Sequence, residues 1–162
     1  MSKSNNDQDD LIIRKVVESD IDNLKTVIDS SELFPSEMLD EMVSGFLTGK
    51  EDCVWWTGDS EQPTFVAYCA PEKMTEGTWN LYLIAVHSSL QGGGVGTKVI
   101  QHLENHLVYE KSARILLVET SGLPEFEQTR KFYIKNKFVE EARIRDYYKA
   151  GEDKVVYWKA LK

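Results

Sequence analysis

Apolar and polar positions change period repeatedly along this chain, and each change marks an element. Leu11-Ile-Ile-Arg-Lys-Val-Val17 reads as a first strand, and Glu18-Ser-Asp20 then caps a helix whose apolar face is Ile21, Leu24, Val27 and Ile28. After a break at residues 30–35, Pro35-Ser36 opens a second helix carrying Met38, Leu39, Met42, Val43, Phe46 and Leu47 as far as Gly49. Cys53-Val-Trp-Trp-Thr57 and Thr64-Phe-Val-Ala-Tyr-Cys69 are strands joined across the turn formers Gly58-Asp-Ser-Glu-Gln-Pro63. Asn80-Leu-Tyr-Leu-Ile-Ala-Val86 is a buried strand that stops at the polar turn His87-Ser-Ser-Leu90. Val95, Val99, Ile100, Leu103 and Leu107 then recur at helical spacing, with the helix ending near Tyr109. A second buried strand, Ala113-Arg-Ile-Leu-Leu-Val-Glu-Thr120, precedes a helix opened by Pro124-Glu125 and running from Phe126 to Lys135. Val139 to Tyr148 and Lys154 to Trp158, with a turn at Ala150-Gly-Glu-Asp153, close the pattern as two strands.

Strands and helices alternating over 162 residues predict one mixed domain from residue 11 to 162, preceded by a polar leader, Met1 to Asp10, with nothing to bury. No apolar run approaches the roughly 20 residues that span a membrane, and the acidic N-terminus is unlike a signal peptide, so a cytoplasmic protein is expected. Net charge is −8, from 27 acidic and 19 basic residues, which disfavours nonspecific binding to nucleic acid or an anionic membrane. Cys53 and Cys69 fall on neighbouring strands and read as two reduced, half-buried thiols. His102-Leu-Glu-Asn-His106 lacks the Glu directly after the first His that a zinc protease helix requires, and it reads as a polar helix face; no metal is expected.

The chemistry is concentrated in Gln91-Gly-Gly-Gly-Val-Gly-Thr97, between a buried strand and an amphipathic helix. Three successive glycines remove Cβ atoms where a ligand would approach the main chain, and their N–H groups join the positive end of the helix dipole to make an anion site. The Walker loop is excluded because no Gly-Lys-Ser/Thr follows, and the dinucleotide fingerprint is missed because its third glycine would fall on Thr97.

What fits is Gln91-x-x-Gly94-x-Gly96 after Leu83-Ile-Ala-Val86, which resembles motif A of the GNAT superfamily, the Gcn5-related N-acetyltransferases. Ile13-Arg14-Lys15-Val16 with Asp20 is similar to the GNAT N-terminus, and Phe126 to Phe138 to its motif B, with Tyr133 on the family tyrosine, Thr129 on the small residue, Phe126 where Asn is usual and Lys137 in the Gly place. The resemblance covers about Leu11 to Leu161. It implies a mixed α/β fold: a mostly antiparallel twisted sheet of about seven strands, its fourth and fifth strands splayed, flanked by about four helices.

The resemblance also implies acetyl-CoA as cosubstrate, its pyrophosphate on Gln91, Gly92, Gly93, Gly94, Val95, Gly96 and Thr97 with Lys98 as the nearest cation, and its pantetheine arm along Ile84, Ala85 and Val86 and past Thr129 and Tyr133. The reaction implied is direct attack by a primary amine of a small molecule or peptide on the acetyl carbonyl. A main-chain N–H near Val86 would hold the oxyanion, and Tyr133 would protonate the leaving thiolate. Glu119 is the candidate base, and Glu32, Phe34, Trp56 and Tyr147 are places where substrate contact is expected. Phe126 and the lack of an acid within Leu81 to Val86 leave a second reading open, a catalytically silent acyl-CoA sensor or interaction module. A dimer through the closing strands is also left open.

Overall fold

The computed structural model describes residues 12–31, 33–58 and 64–161. The expected leader, the candidate Glu32 and most of the Gly58–Pro63 connection lie outside them. In chain order the elements are β1 (Ile13–Lys15), α1 (Ile21–Ser31), α2 (Leu39–Leu47), β2 (Val54–Gly58), β3 (Phe65–Pro71), β4 (Thr78–Val86), α3 (Val95–Lys111), β5 (Ile115–Ser121), α4 (Glu127–Lys135), β6 (Val139–Lys149) and β7 (Glu152–Ala160). Short 3₁₀ turns precede each of the four helices. The strands form one sheet in the order β1-β2-β3-β4-β5-β7-β6, antiparallel except for the parallel pair β4 and β5. This is the mixed α/β architecture that the pattern of elements implies. No described helix is long and apolar enough to cross a membrane.

Two cores lie on the two faces of the sheet. Leu24, Val27 and Ile28 of α1 and Leu39 and Val43 of α2 pack on Val16, Cys53, Trp55, Val66, Leu83 and Ala85. Val99, Ile100, Leu103 and Leu107 of α3, with Tyr133 of α4, pack on Val54, Trp56, Phe65, Leu81, Leu116 and Val118. Strands covered on both faces read as continuous apolar runs, which is why Val54-Trp-Trp and Leu81 to Val86 show little alternation.

One irregularity shapes the site. Leu81 and Leu83 are two residues apart and would share a face in a regular strand, yet they lie in opposite cores. Across the ladder Tyr68 faces Leu83 while Cys69 faces Leu81, so Tyr82 is an extra residue, a β-bulge in β4. Pairing with β5 runs from Thr78↔Ile115 to Leu81↔Val118 and stops at that point. A bulge bends and twists its strand, and here it turns β4 away from β5, which stays paired with β7 through Ser121↔Lys154. The main chain of Tyr82 to Val86 therefore presents an unpaired edge to the gap.

Arg14 and Asp20 have a structural role. Arg14 donates from Nη1 to Asp20 Oδ2 and from Nη2 to Oδ1, both at 2.7 Å, and the Val17 N–H donates to the same carboxylate at 2.8 Å. The Arg14 guanidinium, with the Val17 N–H helping, holds the Asp20 carboxyl below its usual range. A group whose folded pKa is depressed stabilises the fold above its unfolded pKa and loses that contribution as pH falls through the folded value. Asp20→Asn is expected to lower stability by about 1–2 kcal/mol in denaturant melts at neutral pH, with the difference from wild type shrinking as pH falls below the ordinary carboxylate range.

Lys137 ends α4 with φ of 74°, in the left-handed region. The Phe138 N–H donates to Tyr133 O and the Lys137 N–H to Ile134 O, the two bonds of a Schellman motif, in which this residue is usually glycine. Lys137→Gly is expected to stabilise the protein by about 0.5–1 kcal/mol, read from the melting midpoint, because the relief of Cβ strain exceeds the entropy glycine adds to the unfolded chain.

Candidate active site

The glycine loop and α3 N-terminus form one wall of a cavity of ≈ 500 Å³, α4 forms the other, and Ile84 and Val86 of β4 form its floor. Gly92 and Gly94 have φ of 84° and 83°, and a Cβ on either would meet nothing within 4 Å. Both need glycine for backbone shape, and both leave open space over the main chain. Gly96 is needed for another reason, since a Cβ there would come to 2.8 Å from the Phe132 ring of α4. The α3 ladder begins with the Lys98 N–H donating to Gly94 O at 3.2 Å, so the N–H groups of Val95, Gly96 and Thr97 precede it. These donors at the positive helix end suit an anion. Gln91 folds back, Nε2 donating to Val86 O at 3.2 Å, and fixes the turn that brings the loop over the end of β4.

Tyr133 lines this cavity, although the residue is only 4% exposed. Its ring lies among Phe132, Phe138 and Tyr157 at centroid distances of 5.6, 5.8 and 5.7 Å. No described residue hydrogen-bonds its hydroxyl. Burial, with Tyr157 beside it, pushes the phenol well above its usual pKa, so it stays protonated through neutral pH. Thr129, one turn earlier on α4, also lines the cavity.

Several sequence expectations shift. Lys98 is exposed and is not among the lining residues, whereas Lys131 and Lys135 are, together with Gln128 and Phe132. The i, i+3, i+4, i+7 spacing of those four α4 residues is the signal that sequence reasoning passed over. Ala85 turns into the core under α1 and α2, so only its main chain is available to a ligand on the α3 side. Gly93 is not a lining residue, and its N–H turns to Leu90 O at 3.4 Å. Trp56 is a correction: it is 3% exposed, clamped edge-on by His102 and His106 of α3 at 4.8 and 4.7 Å, and unavailable to a substrate. The same contacts give the two histidines a packing role. Phe34 is half-buried against the α1–α2 core. Tyr147 is 53% exposed, with the Lys154 ammonium 4.2 Å from its ring centre. Cys53 and Cys69 are both buried free thiols, more enclosed than the half-buried pair expected.

Glu119 stands on β5 one residue beyond the last β4 pairing, on the face opposite Val118 and α3. Its Oε2 pairs with Lys154 Nζ at 2.9 Å, and its Oε1 accepts from Asn80 Nδ2 at 3.3 Å. The gap between β4 and β5 thus has the glycine cavity on one face of the sheet and this carboxylate on the other.

A family model described as an acetyltransferase (GNAT) domain matches residues 50–140, more than half the chain. The chain belongs to the GNAT acetyltransferase family. Among solved structures, a GNAT-family acetyltransferase from Desulfovibrio desulfuricans is similar at 26% identity, with 94% of this chain and 99% of that one covered and a TM-score of 0.87. An aminoglycoside 6′-N-acetyltransferase complexed with coenzyme A shares the fold at 14% identity and TM-score 0.74, covering 94% and 98%. The ribosomal-protein-S18-alanine N-acetyltransferase from Escherichia coli shares it at 17% identity and TM-score 0.72, covering 93% of each chain. No curated protein matches the sequence. The GNAT assignment agrees with a strand, glycine loop and helix inside the matched region and with a splayed parallel pair at its centre.

Proposed function

We propose that this protein is an acetyl-CoA-dependent N-acetyltransferase that moves the acetyl group to a primary amine by direct attack in a ternary complex. The observation that carries the reading is the gap between β4 and β5 with an anion cradle at one end and the buried Tyr133 phenol beside it. The N–H groups of Val95 to Thr97 would hold the pyrophosphate, aided by Lys131 and Lys135. The unpaired edge of Tyr82 to Val86 offers the pantetheine amides a strand to pair with. An N–H of that edge near Val86 would stabilise the oxyanion as the amine adds to the carbonyl. Tyr133 then gives its proton to the departing thiolate, and the amine proton passes to Glu119 or to water.

The GNAT relatives support an acyl-CoA donor, since one of them is a coenzyme A complex. The test is a thiol-release assay with acetyl-CoA across a panel of amines, alongside calorimetry with acetyl-CoA alone. Amine-dependent thiol release supports the enzyme. Binding with no release on any amine, and no change of behaviour in Tyr133→Phe, makes the protein an acyl-CoA-binding module.

A further inference from the structure

On the sheet face opposite α3 and α4, where β4 leaves β5, two carboxylates are joined by a buried amide. Asn80 Nδ2 donates to Glu72 Oε1 at 2.9 Å and to Glu119 Oε1 at 3.3 Å. Tyr82, the bulge residue, donates its hydroxyl to the same Glu72 oxygen at 2.5 Å. The two acids are not equivalent. Glu119 has its charge matched by Lys154, whereas Glu72 is held by neutral donors alone and has no cation among the described residues.

Asn80 is itself enclosed. It is 2% exposed, and its Oδ1 has no hydrogen-bond partner although both carboxylates engage its N–H side. The amide orientation is fixed by those acceptors, since turning it over would set a carbonyl oxygen against two carboxylates. A buried acceptor left without a donor is costly, and what it lacks is a hydrogen-bond donor. Tyr82 provides an apolar wall beside it: the residue is 49% exposed, and its ring ends a stack running Trp55 to Tyr68 at 4.3 Å and Tyr68 to Tyr82 at 5.6 Å. A carboxylate, an unpaired amide oxygen and an open aromatic face together suit a protonated amine.

The attacking nitrogen must be neutral when it meets the acetyl carbonyl, so a carboxylate that stays uncompensated suits a different nitrogen of the same molecule. We propose that Glu72, with Asn80 and Tyr82, is the subsite for a second, non-reacting ammonium of the acceptor, and that the acceptors are small diamines or oligoamines. This rests on the acetyltransferase reading above and narrows its substrate class.

The test compares acceptors that differ only at the far end: putrescine, butylamine and γ-aminobutyrate, with cadaverine against pentylamine and diaminohexane against hexylamine to cover the span. At least one diamine is expected to exceed its monoamine in kcat/KM by about tenfold, through KM, with γ-aminobutyrate poorest, as one added ion pair of moderate strength would produce. Glu72→Gln, which keeps the acceptor for Asn80 and Tyr82, removes that preference while leaving acetyl-CoA affinity by calorimetry unchanged. Tyr82→Phe weakens the preference in part. Diamines no better than their monoamines in wild type, or a preference that survives Glu72→Gln, overturns the inference. Acetyl-CoA binding on the same samples separates the two failures: with binding intact only this inference falls, and without it the acetyltransferase reading falls too.

Discussion

Tyr133→Phe is expected to lower kcat by roughly 10²–10³ while acetyl-CoA affinity and the melting temperature stay near wild type. Phenylalanine preserves the ring among Phe132, Phe138 and Tyr157. It removes only a hydroxyl that no described residue engages, so little packing or hydrogen-bond energy is lost. What disappears is the proton. A thiol has a reference pKa of about 8.5 and a phenol of about 10, and burial raises Tyr133, as desolvation also raises the pKa of a thiol whose thiolate forms out of water. Steady-state and single-turnover kinetics, with calorimetry on the same protein, check the outcome. A variant with wild-type kcat would remove Tyr133 from the chemistry and leave it a core residue.

The second large effect is expected at the loop. Gly94→Ala should weaken acetyl-CoA binding by about tenfold to a hundredfold, or about 1.4–2.7 kcal/mol, measured by calorimetry. Gly94 has φ of 83° and ψ of 5° at the N-cap of α3. A Cβ there costs about 1–2 kcal/mol of backbone strain, and it also fills the open space over the loop where a phosphate oxygen would sit. A thermal melt of the free variant separates the two contributions, because strain lowers the midpoint whereas obstruction does not. Gly96→Ala acts differently, pushing against Phe132 and moving α4 relative to α3.

The loop was legible because its signal is local. The glycines, the strand before them and the helix after them are contiguous, falling within residues 78–111, and each follows from backbone geometry alone. The sheet was legible for a similar reason, although β4 begins at Thr78, two residues earlier than its apolar run suggested, and β7 extends to Ala160. The bulge at Tyr82 was hidden. In Leu81-Tyr-Leu-Ile-Ala-Val86 both faces are covered, so a one-residue slip leaves no break in the polarity pattern. Trp56 was misplaced for the same reason: Trp55 and Trp56 are adjacent and both buried, and nothing in the pair tells which lies under α3.

Glu72 and Lys154 escaped notice because their meaning is long-range. Glu72 meets Asn80 and Tyr82 across a hairpin, and Glu119 meets Lys154 across β5 and β7. No spacing in the sequence announces either contact. Lys131 and Lys135 were missed although their spacing was visible, because which face of α4 looks at the loop depends on Tyr133 and Phe138 entering the core.

The proposed function depends on the backbone of this loop gripping the pyrophosphate of coenzyme A. Its most direct test is a titration of the isotopically labelled protein with coenzyme A, followed through its amide resonances. Saturable shifts are expected to concentrate on Gly92, Gly94, Val95, Gly96 and Thr97, with smaller ones along Tyr82 to Val86. Absence of shifts at those amides, or saturation elsewhere on the sheet, would contradict it.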